Sequence, residues 1–245
     1  MRIIQITDLH LDVLDRNPQG VDVWANAEWA FAEARRAQPD AVVVTGDIAF
    51  DRGARSIYLE TNELFAGLGC PWYLIPGNHD DRSLFGEVFG ERYARHGDAP
   101  WIDYSVAGPP AMIFVDSADG VVAPPQIAWL RDVLMEVERR VVWIHHPVIT
   151  GFHRYMDANY PLRNAETVLE LLDDGGETTI FCGHYHYEHV ARYRRVVQYC
   201  TPSTYVGIDP DAATLRRLPV PPGVRVVDIA PDGSIETAVV TKAPR

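Results

Sequence analysis

Short runs of apolar, largely β-branched residues alternate along the chain with longer segments in which apolar residues recur at helical spacing. This alternation is typical of an α/β fold. Strands are predicted over residues 3–7, 41–45, 72–75, 101–106, 112–116, 141–144 and 178–182. Helices are predicted over residues 23–36, 56–68, 124 to about 138, and 165–172.

The remainder of the chain, from about residue 189, is predicted to be rich in strands. Its last two strand-like runs, residues 223–229 and 234–241, flank Pro231-Asp232-Gly233, a sequence typical of a hairpin turn. The chain shows no internal repeat and no long linker. We therefore expect a single domain over residues 1–245, in which two sheets face each other with helices outside them.

Composition narrows the possible functions. The 245 residues include 22 Lys and Arg against 34 Asp and Glu, a formal net charge of −12, which disfavours binding to a polynucleotide. No apolar run is long enough to predict a membrane span. Three cysteines without metal-type spacing, and a first segment that lacks a signal-peptide pattern, predict a cytoplasmic protein.

The polar residues that follow the core strands carry the most information. Five apolar strands each end in aspartate, asparagine or histidine. These residues are Asp8 and His10, then Asp47, then Asn78, His79 and Asp80, then His145 and His146, and finally His184 and His186. Because open α/β sheets bind ligands at the carboxyl ends of their strands, we expect these side chains to converge in one pocket.

Seven of these side chains have the chemistry of metal ligands. They are Asp8, His10, Asp47, Asn78, His145, His184 and His186. Mixed oxygen and nitrogen donors without a thiolate suit Mn, Fe, Zn, Co or Ni. Seven donors are too many for one ion, whereas two ions that share one carboxylate would have four ligands each. Two ions roughly 3.5–4 Å apart can clamp a phosphoryl group.

The motifs D-x-H, G-D, G-N-H-[DE], H and G-H-x-H occur in this order and resemble those of the calcineurin-like metallophosphoesterases. QITDLHL near the start, HHP, LRNA and TPST make the chain similar to bacterial class III cyclic nucleotide phosphodiesterases and related glycerophosphodiesterases. The resemblance extends from Met1 to about Tyr205. It implies a four-layer α/β/β/α sandwich of two mixed sheets flanked by helices.

The resemblance also implies two divalent metal ions, drawn from Mn²⁺, Fe²⁺ or Fe³⁺, Zn²⁺ and Co²⁺. One ion would be held by Asp8, His10, Asp47 and His186, and the other by Asp47, Asn78, His145 and His184. Because successive strand residues face opposite sides, only one of His145 and His146 should be a ligand. The family pattern favours His145, two residues before the proline.

Four further residues are candidates for roles beside the ions. The resemblance implies that His79 stands near the leaving-group oxygen, as a proton donor or electrostatic stabiliser. The alternative is that His79 is a structural histidine hydrogen-bonded to Asp80. Asp80 would orient His79 or cap a helix. Asn164 is a candidate substrate contact, with a helix N-cap as the alternative, and His146 is a second candidate contact.

Together, the residues and the resemblance predict hydrolysis of small phosphodiesters, above all 3′,5′-cyclic nucleotides, by in-line attack of a metal-bridging hydroxide. A broad-specificity glycerophosphodiesterase and a phosphomonoesterase or nucleotidase stay open as alternatives. The acidic charge disfavours a nuclease, and the complete motif set disfavours a non-catalytic scaffold. We expect no polynucleotide or membrane partner; the oligomeric state stays open, with a homodimer as one alternative.

Overall fold

The computed structural model describes residues 1–13, 17–90 and 100–243. The strands within these ranges are β1 (Arg2–Ile6), β2 (Ala41–Thr45), β3 (Trp72–Ile75), β4 (Tyr104–Val106), β5 (Ala111–Val115), β6 (Arg139–Ile144), β7 (Glu177–Cys182), β8 (His189–Tyr193), β9 (Val196–Cys200), β10 (Gly207–Ile208), β11 (Arg217–Leu218), β12 (Gly223–Ile229) and β13 (Ile235–Thr241). The α-helices are α1 (Val23–Ala37), α2 (Arg55–Ala66), α3 (Arg82–Phe89), α4 (Pro124–Met135), α5 (Arg154–Asn159) and α6 (Ala165–Leu172), and a 3₁₀ helix spans Pro18–Gly20.

Two mixed sheets organise the described part of the chain. The first has the strand order β13-β12-β1-β2-β3, in which β1, β2 and β3 are parallel and β12 and β13 antiparallel. The second has the order β4-β5-β6-β7-β9-β8, with parallel central strands and an antiparallel strand at each edge. The short strands β10 and β11 form a separate hairpin.

Successive residues of a strand face opposite sides of its sheet, so one strand can contribute side chains to two separate cores. In β6, Val141 and Trp143 join a core shared with the first sheet, whereas Val142 and Ile144 join a second core with residues of α4 and α6. Helices α1 and α2 belong to the first core, so helices cover the outer side of each sheet. The α/β/β/α sandwich expected from the sequence is therefore confirmed.

Most element predictions are confirmed, including the β12–β13 hairpin and the strand-rich region after residue 189. Two short helices were not predicted. Helix α3 has only eight residues and begins after Asp81, whose carboxylate accepts hydrogen bonds from the backbone N–H groups of Ser83 and Leu84. Helix α5 has six residues, too few for a helical period to be visible in the sequence.

Buried polar side chains connect the two sheets. The Gln5 amide donates to the Thr45 hydroxyl at 2.9 Å and to the Cys182 carbonyl at 3.2 Å. The Thr201 hydroxyl donates to Gln5 at 2.6 Å, and the Arg225 guanidinium donates to Thr201 at 2.8 Å. Each of the polar side chains named here has a hydrogen-bond partner, so the network holds the ends of β1, β2 and β7 together.

Among the described residues, no helix combines the length and the apolar character needed to cross a bilayer.

Candidate metal centre

The predicted residues converge where parallel strands of both sheets end. Loops after β1, β2 and β3 supply Asp8, His10, Asp47 and Asn78, and loops after β6 and β7 supply His145, His184 and His186. Backbone hydrogen bonds hold these loops together. The N–H of Asp8 donates to the Gly46 carbonyl at 3.1 Å, and the N–H of His10 donates to the Asp47 carbonyl at 3.0 Å.

One cluster of donor atoms consists of Asp8, His10 and His186. The Nε2 atoms of His10 and His186 are 3.0 Å apart, and His186 Nε2 lies 3.3 Å from Asp8 Oδ1. The ligand atoms of the three residues lie within 4.8 Å of one another, and all three side chains are buried. This spacing allows one ion to contact all three.

A second cluster consists of Asp47, His145 and His184, again with ligand atoms within 4.8 Å of one another. Asn78 Oδ1 lies 3.2 Å from His145 Nε2, so the amide faces the same point. Of the two consecutive histidines, His145 joins the cluster. His146 instead exchanges a 2.9 Å hydrogen bond with Ser117, and its ring packs against His184 with 4.1 Å between centroids.

Asp47 lies between the two clusters. Its Oδ1 accepts a 2.9 Å hydrogen bond from the backbone N–H of His79, which fixes the carboxylate. Its Oδ2 is 3.3 Å from His145 Nε2 and 3.7 Å from His10 Nε2. Asp47 thus has the position that a carboxylate shared by two ions requires.

Backbone carbonyls determine which ring nitrogen faces the centre. His145 Nδ1–H donates to the Thr45 carbonyl at 2.7 Å, and His186 Nδ1–H donates to the Val206 carbonyl at 2.9 Å. His184 uses Nε2–H to reach the Tyr160 carbonyl at 2.8 Å. Because a carbonyl only accepts, the opposite nitrogen of each ring is free to bind a cation, a common arrangement around metal-binding histidines.

The charge states also fit cation binding. Burial, together with the imidazole of His186, lowers the pKa of His10 to about 3. Burial and the imidazole of His145 lower the pKa of His184 to about 3. Burial would raise the pKa of Asp8, but the imidazoles of His186 and His145 outweigh it and bring this pKa to about 2. Neutral imidazoles and ionised carboxylates are the states that metal ligands require.

Asp47 and His145 form a strongly attracting pair. Burial lowers the pKa of His145, but the Asp47 carboxylate outweighs it and raises this pKa to about 9. Burial raises the pKa of Asp47, but His145 brings it well below its usual range. Asp47 therefore holds His145 as an imidazolium, and a metal ion that binds His145 Nε2 would have to displace this proton.

The backbone is strained at the same residues. Positive φ angles occur at Asp8 (54°), His10 (48°), Asp47 (51°), His184 (66°) and His186 (51°). Residues other than glycine rarely adopt these angles, although aspartate and histidine tolerate them better than most. In the described part of the chain, only three further non-glycine residues share this conformation. Such strain persists where the surrounding structure enforces it, and it clusters at functional sites.

The glycines of the motifs make room for the carboxylates. A Cβ atom at Gly77 would collide with Asp47 Oδ1, and one at Gly183 would collide with Asp8 Oδ2 and the Thr7 hydroxyl. The hydroxyl of Thr7 in turn donates to Asp8 Oδ2 at 2.8 Å. The spacing G-N-H and G-H-x-H thus reflects close packing against the two aspartates.

His79 stands beside the clusters at the edge of a cleft. Its ring meets the His10 ring edge-on, with 4.9 Å between centroids, and one of its nitrogens lies within 4.8 Å of the ligand atoms of His10 and Asp47. Its Nδ1 is buried and has no hydrogen-bond partner among the described residues. The ring is thus placed to interact with a bound molecule.

The expectations for Asp80 need correction. Its carboxylate accepts hydrogen bonds from the backbone N–H groups of Ile48, Ala49 and Gly77 and from the Tyr58 hydroxyl, not from His79. Burial, followed by the charge of Asp47, raises the pKa of Asp80 to about 6. Asp80 holds the loops after β2 and β3 together, while the neighbouring Asp81 caps α3.

Asn164 and His146, the candidate substrate contacts, are both engaged within the fold. The Asn164 amide accepts from the Val122 N–H at 3.1 Å and donates to the Val122 carbonyl at 2.8 Å. Asn164 occupies the N-cap position of α6, but its side chain makes no capping hydrogen bond. His146 is 3% exposed and lies behind His184. Asn164 thus holds the N-cap position that was the alternative, with its amide bound to Val122, and neither Asn164 nor His146 lines the cleft described below.

A cleft of about 450 Å³ opens above the two clusters. Its outer wall is mainly apolar and aromatic, and includes the polar side chain of Gln19 beside Phe50, Met156, Tyr160, Tyr205, Val206, Ile208 and Leu215. Two charged residues outside the clusters, Asp51 and Arg217, also line it. The sequence provided no signal for Tyr205 or Arg217 as site residues, because neither belongs to a strand-end motif and both reach the cleft only through the fold.

The strand-end motifs, the two clusters of candidate ligands and the two-sheet fold together define a metallophosphoesterase. Comparison with known proteins establishes the family. The family model described as calcineurin-like phosphoesterase matches residues 1–188, and the chain belongs to this family. Family members use dinuclear metal sites. A solved structure of a dimetal phosphatase from Danio rerio has a TM-score of 0.66 and 13% identity over 99% of both chains, which shows a shared fold.

Sequence relatives narrow the comparison further. A probable cyclic nucleotide phosphodiesterase of Fibrobacter succinogenes is 30% identical over 93% of this chain and 89% of its own length. The 3′,5′-cyclic adenosine monophosphate phosphodiesterase CpdA of Escherichia coli K12 is 28% identical over 98% of this chain and 89% of its own length. The glycerophosphodiester phosphodiesterase GpdQ of Enterobacter lignolyticus is 29% identical over 83% of this chain and 77% of its own length.

Proposed function

We propose that this protein is a metal-dependent phosphodiesterase that hydrolyses 3′,5′-cyclic nucleotides. The observation that carries the proposal is the position of Asp47 between two clusters of buried histidine and carboxylate ligands. Family membership and the names of the sequence relatives support the same reaction class.

The proposed ligands of one ion are Asp8, His10, Asp47 and His186, and those of the other are Asp47, Asn78, His145 and His184. When bound, two divalent ions supply Lewis acidity that stabilises negative charge on the phosphoryl oxygens and activates water near neutral pH. The protein contributes two carboxylate charges, Asp8 and Asp47, against about four positive charges of the ions. The centre is therefore cationic within an acidic protein and favours a small anionic substrate.

The chain's own residues position the reaction. The hydrogen bond from the His79 N–H to Asp47 Oδ1 and those from the His184 N–H to Asp8 fix both carboxylates before substrate binds. The imidazole of His79, at the cleft edge, is proposed to donate a proton to the departing ester oxygen. The cleft walls restrict the approach of the substrate to the face of the centre that His79 borders.

The cleft favours a nucleotide over a glycerophosphodiester. Five aliphatic and aromatic residues, Phe50, Met156, Val206, Ile208 and Leu215, line the space beyond the two clusters. An apolar wall stabilises a nucleobase by burying its faces, whereas a glycerol or ethanolamine group would lose hydration without an equivalent gain. Because one of the sequence relatives is a glycerophosphodiester phosphodiesterase, glycerophosphodiesters are the alternative substrate class to test.

A metal-resolved hydrolysis panel tests the proposal. Metal-depleted protein would be reloaded with Mn²⁺, Fe²⁺, Zn²⁺ or Co²⁺, with bound metal measured by mass spectrometry. Turnover would be followed on cyclic AMP, cyclic GMP, glycerophosphoethanolamine, bis(p-nitrophenyl) phosphate and p-nitrophenyl phosphate. We expect two ions per chain and the highest kcat/KM on a cyclic nucleotide. Faster hydrolysis of the monoester, or no diester turnover with any metal, would refute it.

We further propose that residues 1–245 form one domain that works in the cytoplasm. The last part of the chain completes the first sheet, since β12 pairs with β1 and the amino group of Met1 donates to the Ile229 carbonyl at 2.7 Å. Cys182 and Cys200 are paired in register on adjacent strands and are both free thiols, a state that a reducing compartment maintains.

A further inference from the structure

The β10–β11 hairpin brings a second group of residues to the cleft. Val206, Ile208, Leu215 and Arg217 belong to this hairpin or flank its strands, and all four line the cleft that contains His79. They lie outside residues 1–188, which the family model covers. The family motifs therefore assign them no role.

Arg217 is exposed within this cleft. No carboxylate among the described residues lies within ion-pair distance of it, whereas the adjacent Arg216 pairs with Asp209 at 3.1 Å. These two adjacent arginines thus differ: Arg216 is paired and does not line the cleft, whereas Arg217, the first residue of β11, lines it without an acidic partner. Arginine offers a planar fork of N–H donors that suits an acceptor edge on a planar ring.

Apolar side chains line the same cleft as Arg217. Leu215 is 38% exposed, high for a large aliphatic side chain, and it lines the cleft together with Ile208 and Met156. Tyr205 adds an aromatic ring, and its buried hydroxyl has no hydrogen-bond partner in the described structure. An apolar wall next to an unpaired fork of donors fits a flat heteroaromatic group that carries acceptors on its edge.

The charges of the outer cleft limit the alternatives. Asp51 and Arg217 are the charged residues that line it outside the two ligand clusters, and their charges are opposite. A second phosphate group would meet Asp51 as well as Arg217, so the outer cleft offers little to a polyanion. A neutral group with polar edges fits better.

We propose that Arg217 determines substrate specificity by binding the acceptor edge of a purine base, which packs on Leu215 and its apolar neighbours. This inference rests on the proposed function, because it assigns the base of the cyclic nucleotide to the outer cleft. A purine presents N7 as an acceptor, and guanine adds O6 beside it.

The variants Arg217→Ala and Arg216→Ala form a matched pair. Each metal-loaded, full-length variant would be assayed with cyclic AMP, cyclic GMP and glycerophosphoethanolamine, a diester that carries no ring. In Arg217→Ala, we expect the ratio of kcat/KM for the cyclic purine nucleotides to that for glycerophosphoethanolamine to fall about 10-fold or more. Arg216→Ala should leave this ratio within about 2-fold of wild type, since exposed ion pairs contribute little.

Equal losses on all three diesters in Arg217→Ala would place the guanidinium at the phosphoryl group and overturn the inference. An unchanged ratio would overturn it as well. Failure of the proposed function would give a different result, because the metal-loaded wild type would then hydrolyse none of the diesters. The inference about Arg217 would be overturned together with the proposed function in that case. Thermal melting of both variants checks that the exposed hairpin substitutions leave the fold intact.

Discussion

The Nε2 atoms of His10 and His186 lie 3.0 Å apart at the junction of the two sheets. His10 follows β1 of the first sheet, and His186 follows β7 of the second. Because His186 donates its Nδ1–H to the Val206 carbonyl, its Nε2 presents a lone pair toward His10. The two nitrogens approach because His10 Nε2–H donates to His186 Nε2, and both atoms face the position that we propose for a cation.

Replacing Asp47 should remove metal and activity together. Asp47→Asn keeps the shape of the side chain but removes the charge between the two clusters. We expect bound metal to fall below two ions per chain and kcat/KM to fall by about 10³-fold or more. Asp51→Asn, an exposed carboxylate of the same cleft, is the control and should retain two ions. A fully active Asp47→Asn protein would rule out a shared-carboxylate centre.

His79 should affect turnover without affecting metal content. Its ring lies beside the clusters and is proposed to donate a proton to the leaving oxygen. His79→Ala is expected to lower kcat on a cyclic nucleotide by about 10²- to 10⁴-fold, and less on bis(p-nitrophenyl) phosphate, whose leaving group needs no proton. His189→Ala is the control, because His189 stacks on Phe152 at 4.2 Å and does not line the cleft. Equal losses on both substrates would argue against proton donation.

Gly77 should tolerate no side chain, because a Cβ atom there would collide with Asp47 Oδ1. The same Cβ would also collide with the backbone N of Asp47. Gly77→Ala is therefore expected to displace Asp47 together with its backbone and to weaken metal binding by about 10- to 100-fold, as measured by titration with Mn²⁺. Gly67→Ala is the matched control, since its Cβ would meet no atom nearer than 3.6 Å. Metal affinity in Gly77→Ala equal to that of wild type would contradict this account.

Asp103 lies outside the two ligand clusters, and its raised pKa predicts that the stability of the protein depends on pH. Burial, followed by the charge of Asp116, raises the pKa of Asp103 to about 7, against 3.8 for an unperturbed aspartate. The folded state therefore binds this proton more tightly, and its free energy of unfolding falls as pH rises from about 4 to about 7, by at most about 4 kcal/mol.

Asp103→Asn removes this titration, while its amide oxygen can still accept from the Asp116 N–H. Urea denaturation of wild type and variant at pH 5 and pH 8 measures the effect. We expect the variant to gain stability relative to wild type at pH 8 and to differ less at pH 5. Parallel pH dependences for the two proteins would show that Asp103 titrates normally.

The fold and the convergence of the candidate ligands were largely predictable because both depend on local pattern. Strand-length apolar runs define β1, β2, β3, β6 and β7, and the polar residue after each run marks the strand end. The carboxyl ends of parallel strands meet at one edge, so Asp8 and Asp47 had to approach each other. The preference for His145 over His146 came from the family pattern, and the structure places His145 in the cluster.

The roles of Asp80 and Asn164 depended on partners that no local pattern contains. Asp80 has one donor nearby, Gly77, but finds two others in the loop after β2, about 30 positions away, and Asn164 finds Val122 at 42 positions. A short polar side chain can cap, orient or contact a ligand, and only the nearest donors and acceptors decide among these uses.

The sequence by itself determined the two-sheet α/β class, the order of the strands that end in donors, and the oxygen and nitrogen chemistry of the centre. These features follow from periodicity and residue type along the chain. Only the tertiary structure decided that Asp47 lies between both clusters, which ring nitrogen of each histidine is free, and that Arg217 joins the cleft. The physical reason is that donors, acceptors and charges act over a few ångströms in space, whereas the residues that carry them are up to about 200 positions apart in sequence.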